Sequence, residues 1–164
     1  MTTRSKSCRR ASVGEKERPD NVVELRARAL RLLARREHTR QEIERKLSPH
    51  AGSSEELQGL ISGLNQKNQL SEERYAEERA RRLSRKYGAA RIRQDLKAKG
   101  VPEELVSRFS SSTDELQKAK AILERKYRTP AATREERAKR MRFLQGRGFS
   151  FDVIRALLSS REPD

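Results

Sequence analysis

The chain has 164 residues and a formal net charge of +15, with 39 Lys and Arg against 24 Asp and Glu. Hydrophobic residues make up 33% and aromatics 4%, which is too little for one deep core and points to several small helical ones. The single cysteine, Cys8, excludes a disulfide framework and a Cys-based zinc site. No apolar run approaches the roughly 18 residues of a membrane span.

Residues 1–20 carry Arg4, Lys6, Arg9, Arg10, Lys16 and Arg18 without apolar periodicity. They read as a disordered basic arm, with a tag or a plain solubility tail as the alternative. No apolar stretch follows the basic start, so a secretory signal is not expected and a reducing cytoplasm is the simplest setting.

From there the apolar spacing predicts nine helices in three sets. In residues 21–69, Val22, Leu25, Ala29, Leu32 and Leu33 form one stripe. Thr39 with Glu42 opens a short helix carrying Ile43 and Leu47, and Ser53 with Glu56 opens a helix carrying Leu57, Leu60, Ile61 and Leu64. Both pairs have capping-box spacing. In residues 70–112, Ala76, Ala80, Leu83 and Tyr87 form the first stripe, and Gly88 is expected as a left-handed stop. Ala89, Ile92 and Leu96 follow as far as Gly100, and Pro102 is placed as a first helical residue before Leu105, Val106 and Phe109. In residues 113–164, Leu116, Ala119, Ile122, Leu123 and Tyr127 form a long helix. Thr133 with Glu136 makes a third capping box, before Ala138, Met141 and Leu144, and Val153, Ile154, Leu157 and Leu158 close the chain.

A faint echo ties the sets together. Leu57, Leu105 and Val153 lie 48 apart, as do Ile61, Phe109 and Leu157. Lys99-Gly100 recurs as Arg147-Gly148, whereas the first set has Ser48-Pro49-His50-Ala51-Gly52 in that place. Such a period without strand signals indicates stacked helical repeats, an architecture that presents one long surface to a partner.

Candidate catalytic groups are few. The pairs Glu55-Glu56, Glu72-Glu73, Glu103-Glu104 and Glu135-Glu136 fall in predicted first turns, where carboxylates offset the helix dipole. That reading is preferred to a metal site. His38 and His50 have no partner at metal-ligand spacing and read as surface or cap residues. No catalytic residue, metal ligand or cofactor site is assigned. The basic residues remain. Exposed i,i+4 pairs such as Glu78 with Arg82 or Arg91 with Asp95 account for some of them; the excess calls for an anionic partner. Tyr75, Tyr87, Phe143 and Phe149 could stack on bases, although core packing is the plainer reading for Tyr87 and Phe149.

Three blocks are specific. They are Leu70-Ser-Glu-Glu-Arg74-Tyr75-Ala76, Tyr87-Gly88-Ala-Ala-Arg91-Ile92-Arg-Gln-Asp-Leu96-Lys-Ala-Lys99-Gly100-Val101, and Arg142-Phe143-Leu144-Gln-Gly-Arg147-Gly148-Phe149-Ser150. With the segment from Leu32 to Leu47, they resemble the RecX family, bacterial regulators of the RecA recombinase. The resemblance implies an all-α fold of three tandem three-helix repeats in an elongated, curved array. It implies a monomeric, non-enzymatic protein that binds RecA filaments on single-stranded DNA and restrains their recombinase, ATPase and coprotease activities, along the groove or as an end cap. A role in DNA repair and the SOS response follows. Direct DNA contact is compatible with it, and no membrane is involved. Arg81, Arg85, Arg91, Lys97, Lys99 and Arg147 are the candidate contact residues. The chain departs from the pattern at Arg79, where an aromatic or aliphatic residue is expected, before Tyr87, where it runs one residue short, and at Ser48–Gly52. A plain nucleic-acid binder and a metal nuclease are the alternatives; the latter requires converging carboxylates.

Overall fold

The computed structural model describes residues 19–111 and 114–159. The basic arm expected over residues 1–20 therefore falls almost wholly outside the described residues, as does the cap expected at Ser112-Thr113.

The described residues hold nine α-helices: α1 Val22–Arg35, α2 Arg40–Leu47, α3 Ser54–Gln66, α4 Glu72–Ser84, α5 Ala89–Ala98, α6 Glu103–Ser110, α7 Glu115–Lys126, α8 Arg134–Gly146 and α9 Phe151–Ser159. A 3-10 turn, Ser48–His50, follows α2. The helix starts are chemically explicit. Asn21 and Thr133 form full capping boxes with Glu24 and Glu136. Ser53 and Ser71 accept from the backbone of Glu56 and Arg74. Thr39 accepts from Glu42 N at 3.1 Å, but the Glu42 carboxylate turns away to Arg36. Such caps satisfy donors that the helix itself leaves free, at about 1 kcal/mol each.

Three helices close around each of three separate cores. Leu25, Ala29, Ile43, Leu47, Ile61 and Leu64 centre the first, which Leu70 completes. Tyr75, Ala76, Ile92, Leu96, Val101 and Val106 make the second. Ala119, Leu123, Leu144, Phe149, Ile154 and Leu157 make the third. At about 1.5–3 kcal/mol per buried aliphatic side chain, each core is small, and the units gain by stacking on one another.

Several expectations are corrected. Val22 and Leu116 are 54% and 40% exposed; each lies in the first turn of its helix, beyond the reach of the neighbours that cover the rest of its stripe. His38 is neither surface nor cap but 2% exposed, with Nδ1 2.9 Å from the Arg36 carbonyl. Pro102 is the N-cap of α6 rather than its first residue. Gly88 is not left-handed: its φ is −83° and it is the N-cap of α5. Gly100 and Gly148, at φ +73° and +81°, are the left-handed stops. Among the described residues, neither Glu78–Arg82 nor Arg91–Asp95 pairs. Asp95 is taken by Arg79, which donates from Nε and Nη2 at 2.7 Å each. This pair gives the unusual Arg79 its place: it ties α4 to α5 where an apolar contact was expected.

Candidate anion-binding interface

The units meet at two joints built to one plan. At each, the left-handed glycine turn after the middle helix of one unit rests on the start of the middle helix of the unit before. A Cβ on Gly100 would lie 2.5 Å from Gln41 Oε1, and one on Gly148 would lie 2.6 Å from Arg91 N. The first residue of the next unit's leading helix is a glutamate that accepts from the first residue of the same middle helix. Glu72 Oε1 accepts from Arg40 N at 3.3 Å, and Glu115 Oε1 accepts from Ala89 N at 3.0 Å. The cation before each glycine also reaches back, Lys99 to Glu42 at 3.8 Å and Arg147 Nη1 to the Lys86 carbonyl at 2.8 Å.

This plan explains the recurring basic-Gly pair and its absence in the first set, since no described unit precedes the first for such a turn to dock on. It also explains α5, whose start has no side-chain cap of its own. Gly88 N donates to Arg147 O at 2.9 Å and Ala90 N to Gly148 O at 3.2 Å, so with Glu115 the third unit supplies acceptors for the first N–H groups of the helix.

The electrostatics of the two joints differ. At the first, Arg36 meets Glu42 at 2.9 Å and Arg74 meets Glu37 at 2.7 Å. Burial alone would raise the Glu42 carboxyl, but Arg36, and after it His38 and Lys99, outweigh it and hold its pKa below the usual value. At the second joint the chain forms a cleft of about 440 Å³ whose charged lining is Arg85, Lys86, Arg125, Lys126 and Arg147. No carboxylate lines it, and among the described residues none of these five forms an ion pair. Lys126 Nζ sits 4.1 Å from the centre of the Phe143 ring and Arg147 Cζ 4.6 Å from it. Tyr127 meets Phe143 edge-on at 5.8 Å. The rings thus hold two cations in place by cation–π attraction.

Of the six candidate contact residues, Arg85 and Arg147 come together in this cleft. Arg81 lies beside Glu37, Glu77 and Glu78 near the first joint. Arg91 is exposed against the Gly148 turn. Lys97 pairs with Glu103 at 2.9 Å, and Lys99 faces Glu42. Arg140, in the middle of α8, is 4% exposed and donates to the Thr129 carbonyl at 2.7 Å, so it is structural. Arg125 and Lys126 were not singled out by sequence. They lie in the last turn of α7, where cations ordinarily read as partners of the helix dipole. Phe149 is buried in the third core, whereas Tyr87 is half-buried and lines the cleft.

Among the described residues there is no group of three or more His, Cys, Asp or Glu placed to hold a metal ion. No described helix is long and apolar enough to cross a membrane.

Tandem three-helix units joined by a repeated glycine-turn and glutamate contact, with a cation-lined joint, define a helical-repeat protein. Family models described as the first, second and third three-helix domains of RecX match residues 26–50, 71–108 and 113–158. The chain is 41% identical over 138 residues to a regulatory protein RecX of Leptothrix cholodnii, covering 83% of this chain and 88% of that one. It is 40% identical over 135 residues to one of Neisseria gonorrhoeae, covering 82% and 88%. Its fold is similar to the crystal structure of RecX from Lactobacillus salivarius, with a TM-score of 0.76 at 20% identity over 85% of this chain and 95% of that one. The chain belongs to the RecX family of regulatory proteins.

Proposed function

We propose that this protein regulates a RecA recombinase by binding RecA filaments on single-stranded DNA and lowering their recombinase, ATPase and coprotease activities. It does so in the cytoplasm, as a monomer, with no catalytic step or cofactor of its own. The observation that carries this reading is the similarity to regulatory RecX proteins along more than four-fifths of the chain.

The architecture supports it. A RecA filament repeats one subunit along a helix, and an array of units joined by one repeated contact can meet several subunits in turn. A side-on grip along the groove accounts for three units better than an end cap, for which one contact would serve. Cations at the joints would face acidic subunit surfaces or DNA phosphate.

The test is RecA's DNA-dependent ATP hydrolysis and strand exchange titrated with this protein. Both should fall at ratios at or below one protein per RecA. Unchanged hydrolysis and filament length at saturating protein would overturn the reading. Binding to RecA-coated DNA should also exceed binding to bare single-stranded DNA at about 0.15 M salt, where exposed charges beyond ~8 Å are screened; equal binding would favour a plain nucleic-acid binder.

A further inference from the structure

The two joints align residue by residue, and the alignment exposes a charge inversion. Glu37 lies two residues before the N-cap Thr39, and Lys86 lies two residues before the N-cap Gly88. Glu42 is the third residue of α2, and Arg91 is the third residue of α5. Both carboxylates that neutralise the first joint are therefore replaced by cations at the second. Of the cations of the first joint, Arg36 and Lys99 keep their charge as Arg85 and Arg147, while Arg74, the third residue of α4, gives way to the neutral Gln117 in α7. One plan thus yields a self-neutralised joint and a joint whose positive charge is left open to an outside anion.

We propose that the joint between the second and third units is a binding site for the phosphodiester backbone of a single nucleic-acid strand, and that the joint between the first and second is not. This rests on the reading that the partner carries DNA, and it places the strand on the chain. The cleft, at about 440 Å³, has the size of a site for a nucleotide-sized group rather than for the width of a duplex. Arginine forks suit phosphate oxygens in pairs. Arg147 is already tethered by one nitrogen to the Lys86 carbonyl, and Phe143 holds Lys126 and Arg147 over its ring. Less side-chain freedom is then lost on binding. A strand brings one charge per nucleotide, enough to meet several of the cations together.

The test uses the full chain without RecA and a fluorescent oligothymidylate of about twenty nucleotides, with anisotropy read from about 0.05 to 0.2 M salt. The triple variant Lys86→Ala, Arg125→Ala, Lys126→Ala removes exposed side chains. It should weaken binding about tenfold or more and flatten the log–log salt slope by about 2, at ~0.7 per lost contact. Arg125→Gln alone, which alters the fold least, should flatten it by about 0.7. A control triple of equal charge on the first unit, Arg31→Ala, Arg35→Ala, Arg45→Ala, should change affinity less than about threefold, the residue of a general field. Equal losses in both triples, no loss in the cleft triple, equal binding of a duplex, or displacement by poly-glutamate as effective as by unlabelled strand would each overturn the site. If the cleft variants lose the oligonucleotide yet still slow RecA, the site stands and only its use on the filament falls.

Discussion

Gly88 and Gly148 meet backbone to backbone: a Cβ built on Gly88 would lie 2.4 Å from the Gly148 carbonyl oxygen. Because Gly88 has φ −83°, any residue could adopt its conformation, so the requirement for glycine comes from the neighbouring unit. Gly88→Ala should cost about 1–3 kcal/mol, as overpacking does, and should speed hydrogen exchange at Gly88, Ala89 and Ala90. Gly59, inside α3 with nothing within 4 Å of a Cβ, is the contrast. Gly59→Ala should stabilise the protein by about 0.5–1 kcal/mol. Thermal unfolding of both variants measures the difference.

The two junction glutamates should not be equivalent. Thr39 already caps α2, whereas α5 depends on the third unit. Glu115→Ala should therefore cost about 1 kcal/mol, the usual worth of a cap, and Glu72→Ala only a few tenths. Equal costs in denaturant unfolding would contradict the account of how α5 begins.

Arg79 and Asp95 form a forked pair that is only 24% and 23% exposed. The matching positions of the third unit, the eighth residue of its leading helix and the fifth before its glycine turn, are Ile122 and Phe143. Removing one partner, as in Arg79→Ile or Asp95→Phe, should cost about 1–3 kcal/mol by stranding the other charge. The double variant should recover most of that loss. The hydrogen bonds from Arg79 hold the Asp95 carboxyl below its ordinary value near 3.8. The pair's stabilisation is therefore full above that ordinary value and is lost as pH falls below it, through the lowered value of the folded state. Acid unfolding of the double variant should lack this component.

His38 gives a second pH dependence. Burial lowers its pKa from the ordinary value of 6.5, against the opposing hydrogen bond to the Arg36 carbonyl. The unfolded chain then binds a proton that the folded chain refuses, so stability is full above about 6.5 and declines as pH falls below it. His38→Gln should flatten the stability profile between about pH 7 and 5. An unchanged profile would place the titration elsewhere.

What could be read from residues alone was the local grammar. The stripes, the capping serines and threonines and the turns at Gly100 and Gly148 follow from spacing, because helices and caps are short-range. The echo itself was visible, since each unit buries the same positions. The ends of the stripes were not: Val22 and Leu116 fit the period, yet nothing in the sequence says which turns a neighbour covers. Arg91 lies one helical turn before Asp95 and looked like its partner, but Arg79 reaches the same carboxylate from another helix. Gly88 carried the signature of a stop, and its actual constraint comes from Gly148, sixty residues away in the chain. The cleft was half legible. Arg85 and Arg147 were among the candidate contact cations, while Arg125 and Lys126 looked like ordinary helix ends.

A coupling used twice can in principle be used a third time. Since each joint asks only for a leading glutamate, a left-handed glycine turn and a helix start to receive them, a spliced duplicate of the central module would find matching connectors on both sides. Reach along a polymer could then be set by counting modules, much as a ruler is extended by adding segments, with no need to redesign any hydrophobic centre.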